Sequence, residues 1–442
     1  MSVGEGFQVN AGLRLFGNVA RRSSKIPLRL VFRREYGADK LRYPFFSDSP
    51  VEEFDTLMLR SGGHVLGPKT THLRDTFNHV TQREMGHLSP YTGYVHVYIN
   101  GRYWGMYLPK ERPDSDFLSE HLGGDVDEWD AFKNSDASGP PDVVSGNRDR
   151  WDELMEIIES GVDSDEAFEQ VERHVDIDNY IDYVMLRIFG GDVDWGDIKN
   201  YYLGGNRESG RFQFYLWDSE LSLGLILSDI VTDAQAFPSN LPRTPGRLFW
   251  KLQDHAEYRL RFADRIQHHF FNNGALTPEQ NIERWNRLAA QVELPFLAEA
   301  ARWGAPPGSP QLTLTPTIWR EQVDWVTTDF FPVRTAIVLE QFRSIGLYPS
   351  IPSPVFLIDE QPQHGGAVNV GAALTAVAET DLDVYFTTDG SDPRLPGGGI
   401  NPSALKLTAE SSFTVHANTV VKARSFKNGV WSALGRAEYE VV

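Results

Sequence analysis

This sequence has no cysteine in 442 residues. Disulfides, thiolate nucleophiles and cysteine-ligated zinc are therefore outside its chemistry. It has no apolar run approaching the roughly 18 residues that a membrane-crossing helix needs. None of its 12 histidines stands in a His-Glu-x-x-His array, which argues against a zinc hydrolase of that kind. The segment from Gly62 to Thr70, GGHVLGPKT, misses the P-loop pattern by one inserted residue, so Lys69 does not fit the phosphate-cradling spacing. The amino terminus, MSVGEGFQVN, lacks the basic stretch followed by an apolar one that marks a secretory leader.

Positive charge is scarce as well: 42 Lys and Arg stand against 61 Asp and Glu, a net charge of −19. The imbalance is local. From Asp114 to Gln170, 18 acidic residues face three basic ones, whereas residues 1–113 hold 16 basic against 10 acidic. General nucleic-acid binding, which neutralises phosphates with Lys and Arg, is disfavoured. A basic amino-terminal part suits a small polyanion such as a triphosphate. The acidic stretch, with Ser138-Gly-Pro-Pro141 inside it, reads as a solvated, partly disordered insertion, and recognition of a basic protein substrate is the other reading. Hydrophobic content of 41% and charged content of 23% are those of a globular chain long enough for two or three domains.

The most concentrated chemistry lies in the run Gly190 to Asn200, GGDVDWGDIKN, followed by Asp218 at the end of a Phe-Tyr-Leu-Trp-Asp strand. Moving a phosphoryl group needs a carboxylate to orient the attacking hydroxyl and oxygen ligands for a divalent ion, commonly an Asp with an Asn. Asp194, Asn200 and Asp218 supply these in that order, with Asn200 six positions and Asp218 24 positions after Asp194. Protein kinases use the same order and nearly the same first spacing, although their His-Arg-Asp and Asp-Phe-Gly signatures are absent here. The plain alternative is that Asp, Asn and Gly gather in turns and caps for backbone reasons alone.

Around this run the chain reads as an α+β protein. Ile26–Phe32 and Thr56–Arg60 have strand character. Thr71 to Met85 has a helical rhythm carried by Leu73, Phe77 and Val80. Tyr94–Ile99 alternates into Asn100-Gly101, a strong two-residue hairpin signal whose return strand reaches Leu108 and delivers Glu111. Asp176 is placed to cap a helix with Ile177, Tyr180, Ile181, Val184 and Ile188 on one stripe, ending at Gly190-Gly191. Lys199–Leu203 and Arg211–Trp217 read as a hairpin around Gly204-Gly-Asn206. Longer helices are predicted over Pro245–Asn272, Thr277–Ala301 and Trp319–Ile345, with Trp250, Tyr258, Phe262, Phe270 and Trp285 as core. Gly346 to Pro354 is a proline-stiffened linker, and 355–442 has the short strands and turn clusters of a β-sandwich.

Several motifs in order carry a resemblance. Arg14-Leu-Phe-Gly17-Asn18 is followed by Lys25, then by Asn100-Gly-Arg-Tyr-Trp-Gly-Met-Tyr107 with Glu111, then by Asp176-Ile-Asp-Asn-Tyr-Ile-Asp-Tyr183, the Asp194/Asn200 loop and Trp217-Asp218. From about residue 13 to 349 the chain is similar to the CotH family of atypical, secreted-type protein kinases. The tail, through Tyr385 to Pro393, Val421 to Phe426 and Trp431-Ser432, resembles the chitobiase C-terminal type of sandwich. The resemblance implies an atypical kinase-like two-lobed domain, with 1–112 as a β-rich lobe and 113–345 as a mainly helical lobe carrying the acidic insertion, then the linker 346–354 and the sandwich 355–442.

It further implies ATP and Mg²⁺ or Mn²⁺, with Asp194 as the catalytic carboxylate and Asn200 and Asp218 as metal ligands. Lys25 is then the phosphate-binding lysine, beside Arg14, Gly17 and Asn18, and Glu111 pairs with Lys25 or a metal. Tyr107, Phe212 and Phe214 are the candidate adenine-stacking residues. The expected partner is an exported protein bearing Ser or Thr hydroxyls, with a surface glycan as a further partner of the sandwich. The expected context is a longer exported bacterial protein whose signal peptide is outside this chain. One departure stands out: Val19-Ala20 occupy positions where the family often has two serines. The other function class is an inactive kinase-like fragment that serves as a binding or structural module.

Overall fold

The computed structural model describes residues 6–442 except 18, 63–69, 135–138, 193, 196–198, 209, 225–236, 239, 306–312, 380 and 408–412. The segment Gly62–Thr70, Asn18 and Ser138 thus fall wholly or mostly outside the described residues. Two compact units are present. The first comprises residues 1–161, 169–250 and 281–334, the second 162–168, 251–280 and 335–442.

Among the described residues the first unit holds two larger antiparallel sheets and a two-stranded one at Leu41–Arg42 and Glu53–Phe54. One runs in the order Gly12–Leu15, Leu28–Val31, Thr56–Arg60, Arg102–Lys110, Val95–Ile99. Its last two strands form the predicted hairpin, with Asn100 and Gly101 at φ 51° and 74°. Positive φ at both positions is what a type I′ turn requires, and the Asn-Gly pair meets it with little strain. The second sheet runs Gln213–Leu216, Tyr201–Asn206, Trp129–Lys133, Asp142–Ser145. Its first hairpin corrects the predicted turn: Gly204 and Gly205 lie inside a strand, and the chain reverses between Asn206 and Gln213. The reason is packing. A Cβ on Gly204 would meet Leu118 at 2.5 Å, and one on Gly205 would meet the Arg211 backbone at 3.2 Å.

The acid-rich stretch is also corrected. Its described residues form a helix at Ser115–Leu122, the two strands at Trp129–Lys133 and Asp142–Ser145, and helices at Asp149–Ser160 and Asp165–His174. Phe117, Leu118, Trp129, Phe132, Trp151, Leu154 and Ile158 are all buried. The apolar residues spaced among the acids supply an interior face, and charge density concealed that pattern.

Two helices frame the centre of this unit. Arg74–Glu84 contacts Ile177–Gly190, and both contact the strand Gln213–Leu216. That strand is at an edge of its sheet, so its outer backbone groups need other partners. Two buried amides provide them. Asn179 accepts from Phe214 N at 2.6 Å, while Gln82 donates to Phe214 O at 2.8 Å and accepts from Leu216 N at 3.2 Å. The helix Ile177–Gly190 starts on Asp176, whose carboxylate accepts from Asn179 N at 3.1 Å, as predicted. A 26-residue helix, Pro278–Trp303, is fastened to the first sheet by Glu299, which accepts from Lys25 Nζ at 2.6 Å and Met106 N at 2.7 Å. The predicted helix over 319–345 is interrupted by a π-turn at Val326–Phe330, just before Pro332, which has no N–H to continue the regular ladder.

The second unit holds the sheet-rich C-terminal region. A four-stranded and a larger sheet face one another, and Phe356, Leu374 and Ala376 from one share a core with Val384, Phe386, Val421 and Tyr439 from the other. This is the sandwich that the sequence predicts. The same unit takes in the helix Ala256–Phe270, and residues 346–354 lie within it, with Leu347 and Tyr348 buried. Arg424 of the sandwich spans Asp264 at 2.6 Å and Asp392 at 2.6 Å, and Arg394 grips Glu257 through two bonds of 2.7 Å.

Candidate functional site

The helix Ile177–Gly190 delivers its last turn into the site. Gly191 caps it in the left-handed region, φ 57° and ψ 44°, and returns its N–H to Arg187 O and Ile188 O. Arg187 is buried, and its guanidinium ties together the two segments that the sequence reading singled out. It donates to Asp192 Oδ2 at 2.5 Å, Ser219 Oγ at 2.9 Å, Trp217 O at 3.0 Å and Asn200 O. One fixed planar fork thus holds the loop after the helix, the start of the strand at Tyr201 and the end of the strand before Asp218.

Within that frame, Asn200 donates its amide to Asp194 Oδ2 at 3.0 Å and Asp194 O at 3.1 Å. Lys199 Nζ lies 3.6 Å from Asp194 Oδ1. Asp192 Oδ1 accepts from Asp194 N at 3.3 Å, which shapes the turn between them. Asn200 and Asp218 both have left-handed backbones, φ 57° and 55°. Asn and Asp are the non-glycine residues that enter that region most readily. The side chains of Asp194 and Asp218 stay open, at 40% and 34% exposed.

A charged cluster that the sequence reading missed adjoins Asp218. Arg60, at the end of its strand, gives Nη2 to both Asp218 Oδ1 and Glu220 Oε2, the latter at 3.1 Å. Asp75, in the first turn of the helix Arg74–Glu84, accepts from Ser219 N at 2.9 Å and from Lys110 Nζ. The Lys110 ammonium also sits 4.7 Å from the centre of the Trp217 ring, a favourable cation–π placement.

Electrostatics follow from this crowding. Burial, reinforced by Arg60, pushes Lys110 down to about 8, although Asp75 pulls the other way. Burial would raise Asp75, but Lys110, Arg60 and His79 hold it well below the usual carboxylate range. Burial with repulsion from Asp218 and Asp75 raises Glu220 to about 7, and burial raises Asp192 to about 6 against the pull of Arg187.

The other predicted site residues stand apart from this group. Lys25 is fully buried and paired with Glu299 rather than Glu111, and it also donates to Met106 O at 2.5 Å. Glu111 instead accepts from Tyr91 N at 2.8 Å and meets His121 at 2.9 Å. Tyr107 is buried beneath Lys25, with its hydroxyl on Ile26 O at 2.9 Å. Phe212 packs on Phe132 and Trp151, and Phe214 on Tyr180 and Tyr183, all within the core. Arg14 is exposed on its strand, and Gly17 has φ 89°. Asn18 lies outside the described residues. Asp55, Asp114 and Asp116 form a separate group of carboxylates within 4.8 Å of one another, with Arg112 3.3 Å from Asp114.

Hints of the missed residues exist in the sequence. Arg187 falls in the run 183–189, which is otherwise apolar, and a charge so placed calls for a buried partner. Lys110 immediately precedes the Glu111 that drew attention.

The donor types at the site could hold a divalent ion. Asp218 and Asn200 offer hard oxygens, since the Asn200 nitrogen is engaged by Asp194 and leaves Oδ1 as its ligating atom. Arg60 and Lys110 offer positive charge beside them. No curated protein matches the chain. The family model described as CotH kinase protein matches residues 13–328, well over half the length. With its kinase-like domain followed by a sheet-rich C-terminal region, the chain belongs to the CotH kinase family.

Proposed function

We propose that this protein is an ATP- and divalent-metal-dependent phosphotransferase acting on Ser or Thr hydroxyls of an exported protein. The observation that carries the reading is the gathering, around the buried Arg187 guanidinium, of the open carboxylates of Asp194 and Asp218 with the amide of Asn200. Asp194 orients the acceptor hydroxyl and takes its proton. Asn200 fixes one oxygen of that carboxylate, so the other is the one presented to the acceptor, with Lys199 beside it. Mg²⁺ or Mn²⁺ held by Asp218 and Asn200 would neutralise charge on the phosphate oxygens.

Lys110 and Arg60 supply the remaining positive charge for the phosphates. Lys25 is less suited to that task, because Glu299 and the Met106 carbonyl enclose its ammonium. Its place in the fold is that of a clamp between the first sheet and the helix Pro278–Trp303.

The test is intact-mass spectrometry of the full chain after incubation with ATP and Mg²⁺ or Mn²⁺, wild type beside Asp218→Ala. Phosphate-sized mass gains on the protein or an added exported-protein substrate, in wild type only, support the reading. Equal gains in both proteins overturn the Asp218 assignment. Absence of both phosphate transfer and metal-dependent nucleotide binding in wild type would leave a kinase-like domain that serves as a binding module.

A further inference from the structure

The phosphotransfer reading assigns Asp218 to a metal, yet its carboxylate already has a cation. Arg60 is only 11% exposed and divides one nitrogen, Nη2, between Asp218 Oδ1 and Glu220 Oε2. Behind it, Lys110 and Asp75 form a second pair, and Asp75 also holds Ser219 N. Taken together, two cations, Arg60 and Lys110, face the three carboxyl groups of Asp75, Asp218 and Glu220. A divalent ion entering at Asp218 with Arg60 in place would stand beside a largely buried guanidinium, and like charges that close repel.

The two cations differ in their freedom to leave. Lys110 is fully buried, and its partner Asp75 is itself fixed by the backbone of Ser219. Arg60 ends its strand, and the two carboxylates it touches belong to the open side of the site. A guanidinium is also matched to phosphate oxygens, which it can bind through two parallel hydrogen bonds.

We infer that Arg60 is an exchangeable counter-ion of the metal site: it holds Asp218 and Glu220 until a metal–nucleotide complex arrives, then transfers to the phosphates and leaves Asp218 to the metal. The inference rests on the phosphotransfer reading and adds a coupling to it. Metal alone binds poorly because Arg60 competes for its ligand. Nucleotide removes that competitor, so each ligand favours the other by the same factor.

The experiment measures Mn²⁺ binding to the full chain by electron paramagnetic resonance, alone and with a non-hydrolysable ATP analogue, in wild type, Arg60→Gln and Arg60→Lys. Since ATP analogues bind Mn²⁺ themselves, the decisive readouts are Mn²⁺ without nucleotide and the difference between variants. Arg60→Gln is expected to bind Mn²⁺ alone about tenfold tighter than wild type, a change of about 1.4 kcal/mol, and to bind the analogue more weakly. Arg60→Lys keeps the charge and stays within about threefold of wild type for Mn²⁺ alone.

Unchanged or weaker Mn²⁺ binding by Arg60→Gln would overturn the exchange and make Arg60 a structural brace. Should Arg60→Gln fail to fold, Arg60→Lys decides through the analogue: full wild-type coupling without the bidentate fork contradicts the exchange, and reduced coupling supports it. Wild type that binds both ligands with Arg60-independent coupling overturns this inference alone. Wild type that binds neither overturns the phosphotransfer reading with it.

Discussion

Replacing Arg187 with Met tests the frame of the site directly. Methionine roughly fills the space of the arginine stem but returns none of its hydrogen bonds. The substitution strands the buried Asp192 carboxylate and removes the donor from Ser219 Oγ, Trp217 O and Asn200 O. Removing one partner of a buried ion pair costs about 3–5 kcal/mol. The freed carbonyls add to that only in part, because the loop can relax toward water. Stability of the first unit is therefore expected to fall by about 3–5 kcal/mol, equivalent to a drop in melting temperature of roughly 6–20 °C. Denaturant unfolding followed by tryptophan fluorescence reports it. Asp192→Asn is the companion variant, and it keeps a neutral acceptor for a guanidinium that still has three other partners. Its cost is expected to be smaller, and the double variant should lose less than the sum of the two. It also predicts a pH effect. Because Asp192 is raised to about 6 in the fold, the folded state binds its proton more readily than the unfolded chain. Its contribution to stability is then full below the ordinary carboxylate range and is lost as pH rises through about 6. Asp192→Asn should remove that decline. A loss below about 1 kcal/mol for Arg187→Met, the scale of an ordinary single hydrogen bond, would refute the claim that this guanidinium assembles the site.

Nucleotide affinity should fall as pH rises through about 8, where Lys110 loses its proton, and calorimetric titration across that range should find Lys110→Arg nearly flat. The stability term has the opposite sign: between about 8 and the ordinary lysine range the unfolded chain holds a proton that the folded chain does not, so this group's contribution to stability rises with pH. Lys25→Met, which leaves the buried Glu299 carboxylate without its cation, is expected to cost about 3–5 kcal/mol while the protein that remains folded still binds nucleotide, whereas Lys110→Met abolishes binding. In the second unit, Arg424→Met removes the buried bridge between Asp264 and Asp392 and should lower that unit's stability by about 3–5 kcal/mol with phosphotransfer unchanged, as thermal unfolding and the mass assay would report.

Much of the fold was legible because its signals are short-range. Asn100-Gly101 sets a turn through the φ values of two residues, and Asp176 caps its helix through an N–H three residues on. The strand Thr56–Arg60 has the bounds its apolar run suggested. The failures come from tertiary demands on the same residue types. Gly204 and Gly205 looked like a turn, yet they are small because Leu118 and the Arg211 backbone press against them. The acidic stretch looked solvated because its charges outnumber its buried residues. Tryptophan and leucine at positions 129, 151 and 154 decide its structure nonetheless, since a folded element needs only one apolar face.

The site divides along the same line. Asp194, Asn200 and Asp218 announce themselves because acid chemistry in glycine-rich or strand-end positions is visible along the chain. The cations beside them do not, because nothing local separates a lysine placed next to those carboxylates from one that clamps a helix. Lys25 and Lys110 are both buried, both on or beside strands of one sheet, and both paired with a carboxylate from a distant helix. What distinguishes them is the second bond of that carboxylate. Glu299 turns back to Met106 N of the sheet, so the Lys25 pair closes on itself as a brace. Asp75 reaches Ser219 N, the residue after Asp218, so the Lys110 pair is wired to the candidate metal ligand. That relation spans 144 residues of sequence and follows only from the folded backbone.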